Sequence, residues 1–150
     1  MAYLEFDNIS IAALAGAVPA HVQTLEEAAR RNPAQVCSFQ KHTGVLQRHI
    51  SVTRQTSVDL GYAAALKALE KAGWEAQSLD ALIFMSQTPD FNAGTGNAFI
   101  AHYMLGLRED VLAFDIPLAC SSSRCESICR QMLCNLSKEQ SSKIGALVIH

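Results

Sequence analysis

Residues 111–123 read VLAFDIPLACSSS. Val111–Leu118 is a short, mostly apolar run of strand length. Ala119-Cys120-Ser121 then turns it sharply into a segment expected to be helical through about Leu136. A cysteine therefore stands where a strand passes into a helix. Amide N–H groups at a helix start have no partner within the helix, and the macrodipole there favours negative charge. A thiolate in that position is stabilised and its pKa falls. The same amides help hold an oxyanion on a thioester carbonyl, and a thiolate is an intrinsically strong nucleophile. On this local pattern alone, a structural cysteine acting as a small hydrophobe is the more frequent reading.

Working outward, strands alternate with helices. Ile9–Val18 (ISIAALAGAV) is apolar, small and closed by Pro19, which predicts a strand. Thr24 is placed to cap a short helix through Arg30, with Glu27 at the capping-box spacing. Asn32-Pro33 stops that helix. Residues 37–52 are mixed, with a turn at Thr43-Gly44, and read as loop with at most short elements. Thr56 opens a long helix whose apolar residues run at helical spacing to Ala72, and Gly73 closes it. Leu79–Ser86 has the length and composition of a strand buried on both faces. Thr88-Pro89-Asp90 breaks it, and Asn92, Gly94, Gly96 and Asn97 form a flexible loop or helix entry. Ala98–Leu105 is a helix ended by Gly106. Ile144–Ile149 is a last strand. This order predicts an α/β chain with a mostly parallel sheet covered by helices and wound in both directions.

Composition narrows the function. The 150 residues are 49% apolar and 17% charged, enough for a real core and against disorder. Net charge is −2 with scattered Lys and Arg, so neither a nucleic-acid stripe nor a polybasic membrane patch is present. No signal-like segment or membrane-length apolar run stands out. Five cysteines, four of them crowded at Cys120, Cys125, Cys129 and Cys134, do not look like a secreted disulfide framework. The chain is read as cytoplasmic, with free thiols. Cys125 and Cys129 share a helix face, yet zinc sites normally use two tight pairs, so burial is their ordinary reading and no metal is expected. The histidines show no ligand spacing.

Taken in order, these pieces resemble the N-terminal half of the β-ketoacyl-acyl-carrier-protein synthase III family of the thiolase superfamily. Ile11–Pro19 is similar to its opening strand, and His42-Thr43-Gly44-Val45 with Arg48 to its Arg-Thr-Gly-Ile segment and following arginine. Ala63–Gly73 is similar to its helix ending in Ala-Gly. Asp80-Ala81-Leu82-Ile83 with Thr88-Pro89-Asp90 resembles its second strand and loop, and Leu105-Gly106-Leu107 its Leu-Gly turn. Ala113-Phe114-Asp115-Ile116 with Ala119-Cys120 matches the strand leading to the nucleophile, and Ala146-Leu147-Val148-Ile149 the next strand.

The resemblance implies a thiolase-like layered fold, of which residues 1–150 form an incomplete N-terminal domain without the C-terminal half. It implies acyl transfer from a coenzyme A or acyl-carrier-protein thioester onto Cys120, with no tightly bound cofactor. A carbanion from a decarboxylating malonyl thioester, or another nucleophile, then takes the acyl group. The histidine and asparagine that stabilise the carbanion's oxyanion belong to the family's C-terminal half. Assembly is implied as a homodimer, or a hetero-oligomer with a complementary thiolase-like chain. Three departures stand out. Ser121-Ser122-Ser123-Arg124 replaces a small residue, glycine and an aromatic. His42 and Ser38 stand where an arginine and a tryptophan hold the coenzyme A adenine, which points away from coenzyme A as donor. Gly94 stands near a proline of the dimer-contact loop. A non-catalytic partner module, and more distantly a redox or metal protein using the cysteine cluster, remain open at this point.

Overall fold

A computed structural model describes residues 10–30, 33–91, 96–117 and 146–149. The chain divides into two compact units, Ala17–Thr56 and the remainder, Met1–Gly16 with Ser57–His150.

The smaller unit holds β1 (His21–Thr24), α1 (Leu25–Ala29), α2 (Pro33–Thr43) and β2 (Gln47–Ile50). β1 and β2 pair antiparallel, with His21 opposite Ile50 and Thr24 opposite Gln47. The capping box at α1 forms as the spacing predicts. The Thr24 N–H donates to Glu27 Oε2 at 3.2 Å, and the Glu27 N–H to Thr24 Oγ1 at 3.4 Å. Pro33 does separate two helices, but it also opens the second. Its fixed φ and missing N–H suit the first helical position, where no intrahelical donor is needed. Residues 37–52 hold the end of α2 and the short strand β2, with loop between and after them, so the short elements allowed for there are present. The turn sits where it was expected: Gly44 has φ +69° and donates its N–H to Gln40 O at 2.8 Å.

The larger unit holds α3 (Ser57–Ala72), β3 (Ala81–Met85), α4 (Asn97–Leu105), β4 (Leu112–Ile116) and β5 (Ala146–Ile149). α3 buries Val58, Gly61, Ala65 and Leu69, a stripe at steps of three and four residues. It ends at Gly73, φ +65°, and the Trp74 N–H reaches back to Leu69 O at 3.0 Å. α4 ends the same way at Gly106, φ +61°.

β3 is the centre of a three-stranded parallel sheet in the order β4-β3-β5. Every residue of β3 is buried, as its unbroken apolar run predicts. Leu82 lies in register between Ala113 and Leu147, and Phe84 between Asp115 and Ile149. Leu82, Phe84 and Leu147 pack with Val58, Ala65 and Leu69 of α3 and with Ala98, Ala101 and Leu105 of α4. Of the three strands the central β3 comes first in sequence; α4 leads from it to β4 on one side, and β5 lies on the other.

One expected strand does not form. Residues 10–19 carry no strand; position 9 and the helix expected after Cys120 lie outside the described residues. Ile11, Leu14 and Val18 are exposed. Apolar composition favours extended backbone, but a strand is a ladder, and none of the described strands pairs with this segment. Lys71 Nζ of α3 donates to Leu14 O in this segment at 3.2 Å.

Candidate active site

In parallel sheets, ligands gather outside the carboxyl ends of the strands, where the strand order reverses. Here β3 and β4 end side by side. The Ser86 N–H just past β3 donates to Ile116 O at the end of β4, at 3.2 Å. Around that edge, two helix starts are held by carboxylates from elsewhere in the chain.

Asp90, in the loop after β3, holds α3. Its Oδ1 accepts the Ser57 N–H at 3.0 Å. Its Oδ2 accepts the Ser57 hydroxyl at 2.6 Å and the Val58 N–H at 3.0 Å. These are donors that a helix start leaves without intrahelical partners, and a carboxylate is favoured there by the dipole. Asn97, the first residue of α4 and fully buried, ties the two starts together. Its Oδ1 accepts the Asp90 N–H at 3.3 Å, and its Nδ2 donates to Ser57 Oγ at 3.2 Å.

Asp115, in β4, holds α4. Both of its carboxylate oxygens lie 3.2 Å from the Ala98 amide nitrogen, which donates to them. The N-cap position itself is Gly96, which contributes no side-chain hydrogen bond. A Cβ at Gly96 would lie 2.0 Å from Asp115 Oδ2. The glycine is there because the carboxylate occupies that space.

The sequence reading found none of these four roles. Asp115 offered the clearest signal: an acidic residue inside a strand whose neighbours are apolar must have buried donors to meet. Asp90 and Asn97 gave no comparable sign, since Asp after Pro and Asn before a helix are ordinary turn residues.

The predicted nucleophile, Cys120, lies outside the described residues, as do Ser121–Ser123, Arg124, Cys125, Cys129, Cys134 and Gly94. In sequence it follows Ile116, the last residue of β4, by four positions. Ser38 and His42 are exposed one turn apart on α2, and His42 Nδ1 donates to Ser38 O at 2.6 Å. The fifth cysteine, Cys37, is an exposed free thiol on an open groove of about 410 Å³ between α1 and α2. Among the described residues, no three His, Cys, Asp or Glu side chains gather as a metal site. No described helix is long and apolar enough to cross a membrane.

No protein-family model matches the chain. It is 40% identical over 81 residues to the β-ketoacyl-[acyl-carrier-protein] synthase III of Helicobacter hepaticus, covering 54% of this chain and 24% of that protein. It is 31% identical over 121 residues to the synthase of the same name from Sulfurimonas denitrificans, covering 81% of this chain and 35% of that protein. Its fold matches the crystal structure of a 3-oxoacyl-(acyl-carrier protein) synthase from Burkholderia xenovorans. The TM-score is 0.71 at 32% identity, over 87% of this chain and 38% of that one. The chain thus spans roughly a quarter to two fifths of the length of the relatives it matches.

A parallel sheet wound outward from a buried central strand, with helices starting at its carboxyl edge, is here part of a thiolase-like fold. Within that class the chain is similar to the β-ketoacyl-acyl-carrier-protein synthases III, matching their N-terminal half.

Proposed function

We propose that the full-length protein carrying this sequence is a condensing acyltransferase of the ketoacyl synthase III type. It acts in fatty-acid or secondary-metabolite biosynthesis, and Cys120 is its acyl acceptor. The Cys120 thiol gives up its proton, and the thiolate attacks the carbonyl carbon of an acyl thioester. The tetrahedral oxyanion collapses, and the donor leaves as a thiolate that takes up a proton. The carbon–sulfur bond to the donor is exchanged for one to Cys120, with no redox change. The acyl group then passes to a second nucleophile, with the oxyanion-stabilising histidine and asparagine supplied from outside these 150 residues.

The observation that carries this proposal is that Cys120 follows in sequence, by four residues, the end of β4 at Ile116, in a chain homologous to the synthases III. Ser38 and His42, in place of an aromatic and an arginine, support a carrier-protein thioester over coenzyme A as donor. The protein works in the cytoplasm as a dimer. Support for pairing comes from β4, whose outer edge has no partner among the described strands.

The test uses the full-length protein, incubated separately with acyl-coenzyme A and acyl-carrier protein and read by intact mass. An acyl adduct on the wild type that is absent from Cys120→Ala supports the proposal. No adduct on the wild type, or an equal adduct on Cys120→Ala, defeats it.

A further inference from the structure

A helix start is ordinarily capped by its own N-cap residue, and for stability alone a Ser, Thr, Asp or Asn at position 96 would serve α4. The chain does otherwise. Gly96 supplies no cap, and the acceptor comes from β4, seventeen residues away along the chain. α3 is capped in the same borrowed way by Asp90, thirty-three residues away. The two borrowed caps meet at Asn97, which is fully buried and bonded to both Asp90 and Ser57. Two sets of hydrogen bonds, one joining α3, the loop after β3 and Asn97, the other joining Ala98 to β4, are thus linked through the Asn97–Ala98 peptide bond at the start of α4. A local cap would stabilise one helix; this arrangement fixes helix starts and strand end against each other.

We infer that Asp115 is a positioning residue for acyl transfer, holding the carboxyl end of β4 on the start of α4 and so fixing the direction in which the chain leaves toward Cys120. The inference rests on the reading of Cys120 as acyl acceptor. Asp115 does not touch substrate. It acts through chain continuity, five residues before the cysteine. Gly96 belongs to the same device. Its φ is −69°, which any residue adopts, so it is a glycine for the room it leaves to the carboxylate and not for its backbone freedom.

Asp115→Asn weakens the hold from one side, because the amide offers a single acceptor and no charge. Gly96→Ala weakens it from the other by displacing the carboxylate while leaving Asp115 in the chain. In the full-length protein, two rates at Cys120 are compared by peptide mass: acylation by the acyl thioester that works best on the wild type, and alkylation by iodoacetamide. Alkylation needs an accessible thiolate but no alignment with a bound thioester. Small misplacements of reacting groups cost large factors in rate, so each variant lowers acylation by about tenfold to 100-fold while alkylation changes by less than about twofold. If Asp115→Asn does not fold, Gly96→Ala carries the same comparison, and hydrogen exchange at the Ala98 amide reports whether the cap is lost. Acylation unchanged in a folded variant that has lost Ala98 protection overturns the inference, as does a parallel fall in both rates. A wild type that is never acylated removes the acceptor reading itself, which is a different result from a wild type that is acylated and variants that match it.

Discussion

Replacing Asp90 with alanine tests the capping network directly. The carboxylate accepts three hydrogen bonds, from the Ser57 N–H, the Ser57 hydroxyl and the Val58 N–H. Loss of a helix cap costs about 1 kcal/mol. Val58 is only 1% exposed, so its N–H gains little water in exchange, and an unsatisfied buried donor costs about a further 1–2 kcal/mol. Asp90 is itself exposed, which keeps the total at the low end of what charged hydrogen bonds give. The sum for Asp90→Ala is about 2–3 kcal/mol. Asp90→Asn keeps the Oδ1 acceptor and loses about half as much. Chemical denaturation of the full-length protein, with slope and midpoint both fitted, measures these values. A cycle with Asn97→Ala adds a check, since residues in one network couple by about 0.5 kcal/mol or more. A cost for Asp90→Ala below about 0.5 kcal/mol, the range of an ordinary surface substitution, refutes the reasoning.

Two other predictions follow from the sheet. Phe84 is 2% exposed at the centre of the core, so Phe84→Ala costs about 3–5 kcal/mol, and a loss under 1 kcal/mol by the same denaturation assay contradicts that placement. Leu112 donates its N–H inward to Asp80 O, so strand alternation turns the Ala113 N–H toward the outer edge of β4, which has no partner among the described strands. Ala113→Pro therefore spares the inner ladder and blocks edge pairing, and it converts a dimer to a monomer by light scattering; a dimer that persists removes β4 from the interface.

How much of this was legible depended on how local the determining contacts are. α3 was readable because Val58, Ala65 and Leu69 repeat at helical spacing and Gly73 ends the series. The α1 capping box was readable because Thr24 and Glu27 are three residues apart. β3 was readable because a strand covered on both faces needs an unbroken apolar run. β1 was missed and β2 was not located because four-residue strands with mainly exposed side chains carry no such pattern. α2 was not located because its apolar residues do not form one buried stripe, and Phe39 is exposed. The segment 11–18 misled in the opposite direction, with strand composition and no partner among the described strands. The hydrogen-bond network at the sheet edge was the least legible feature. Ser57, Asp90 and Asn97 are joined across as many as forty residues and Asp115 meets Ala98 across seventeen, and only the fold brings them together.

The central proposal is that the strand ending in Asp115-Ile116 leads, four residues on, to an acyl-accepting thiol at Cys120. Intact-mass analysis of the full-length protein after incubation with acyl thioesters measures that most directly. The account predicts one acyl adduct per chain on the wild type, mapped to Cys120 and absent from Cys120→Ala. An adduct that survives in Cys120→Ala, or a wild type that takes up no acyl group from either donor, contradicts it.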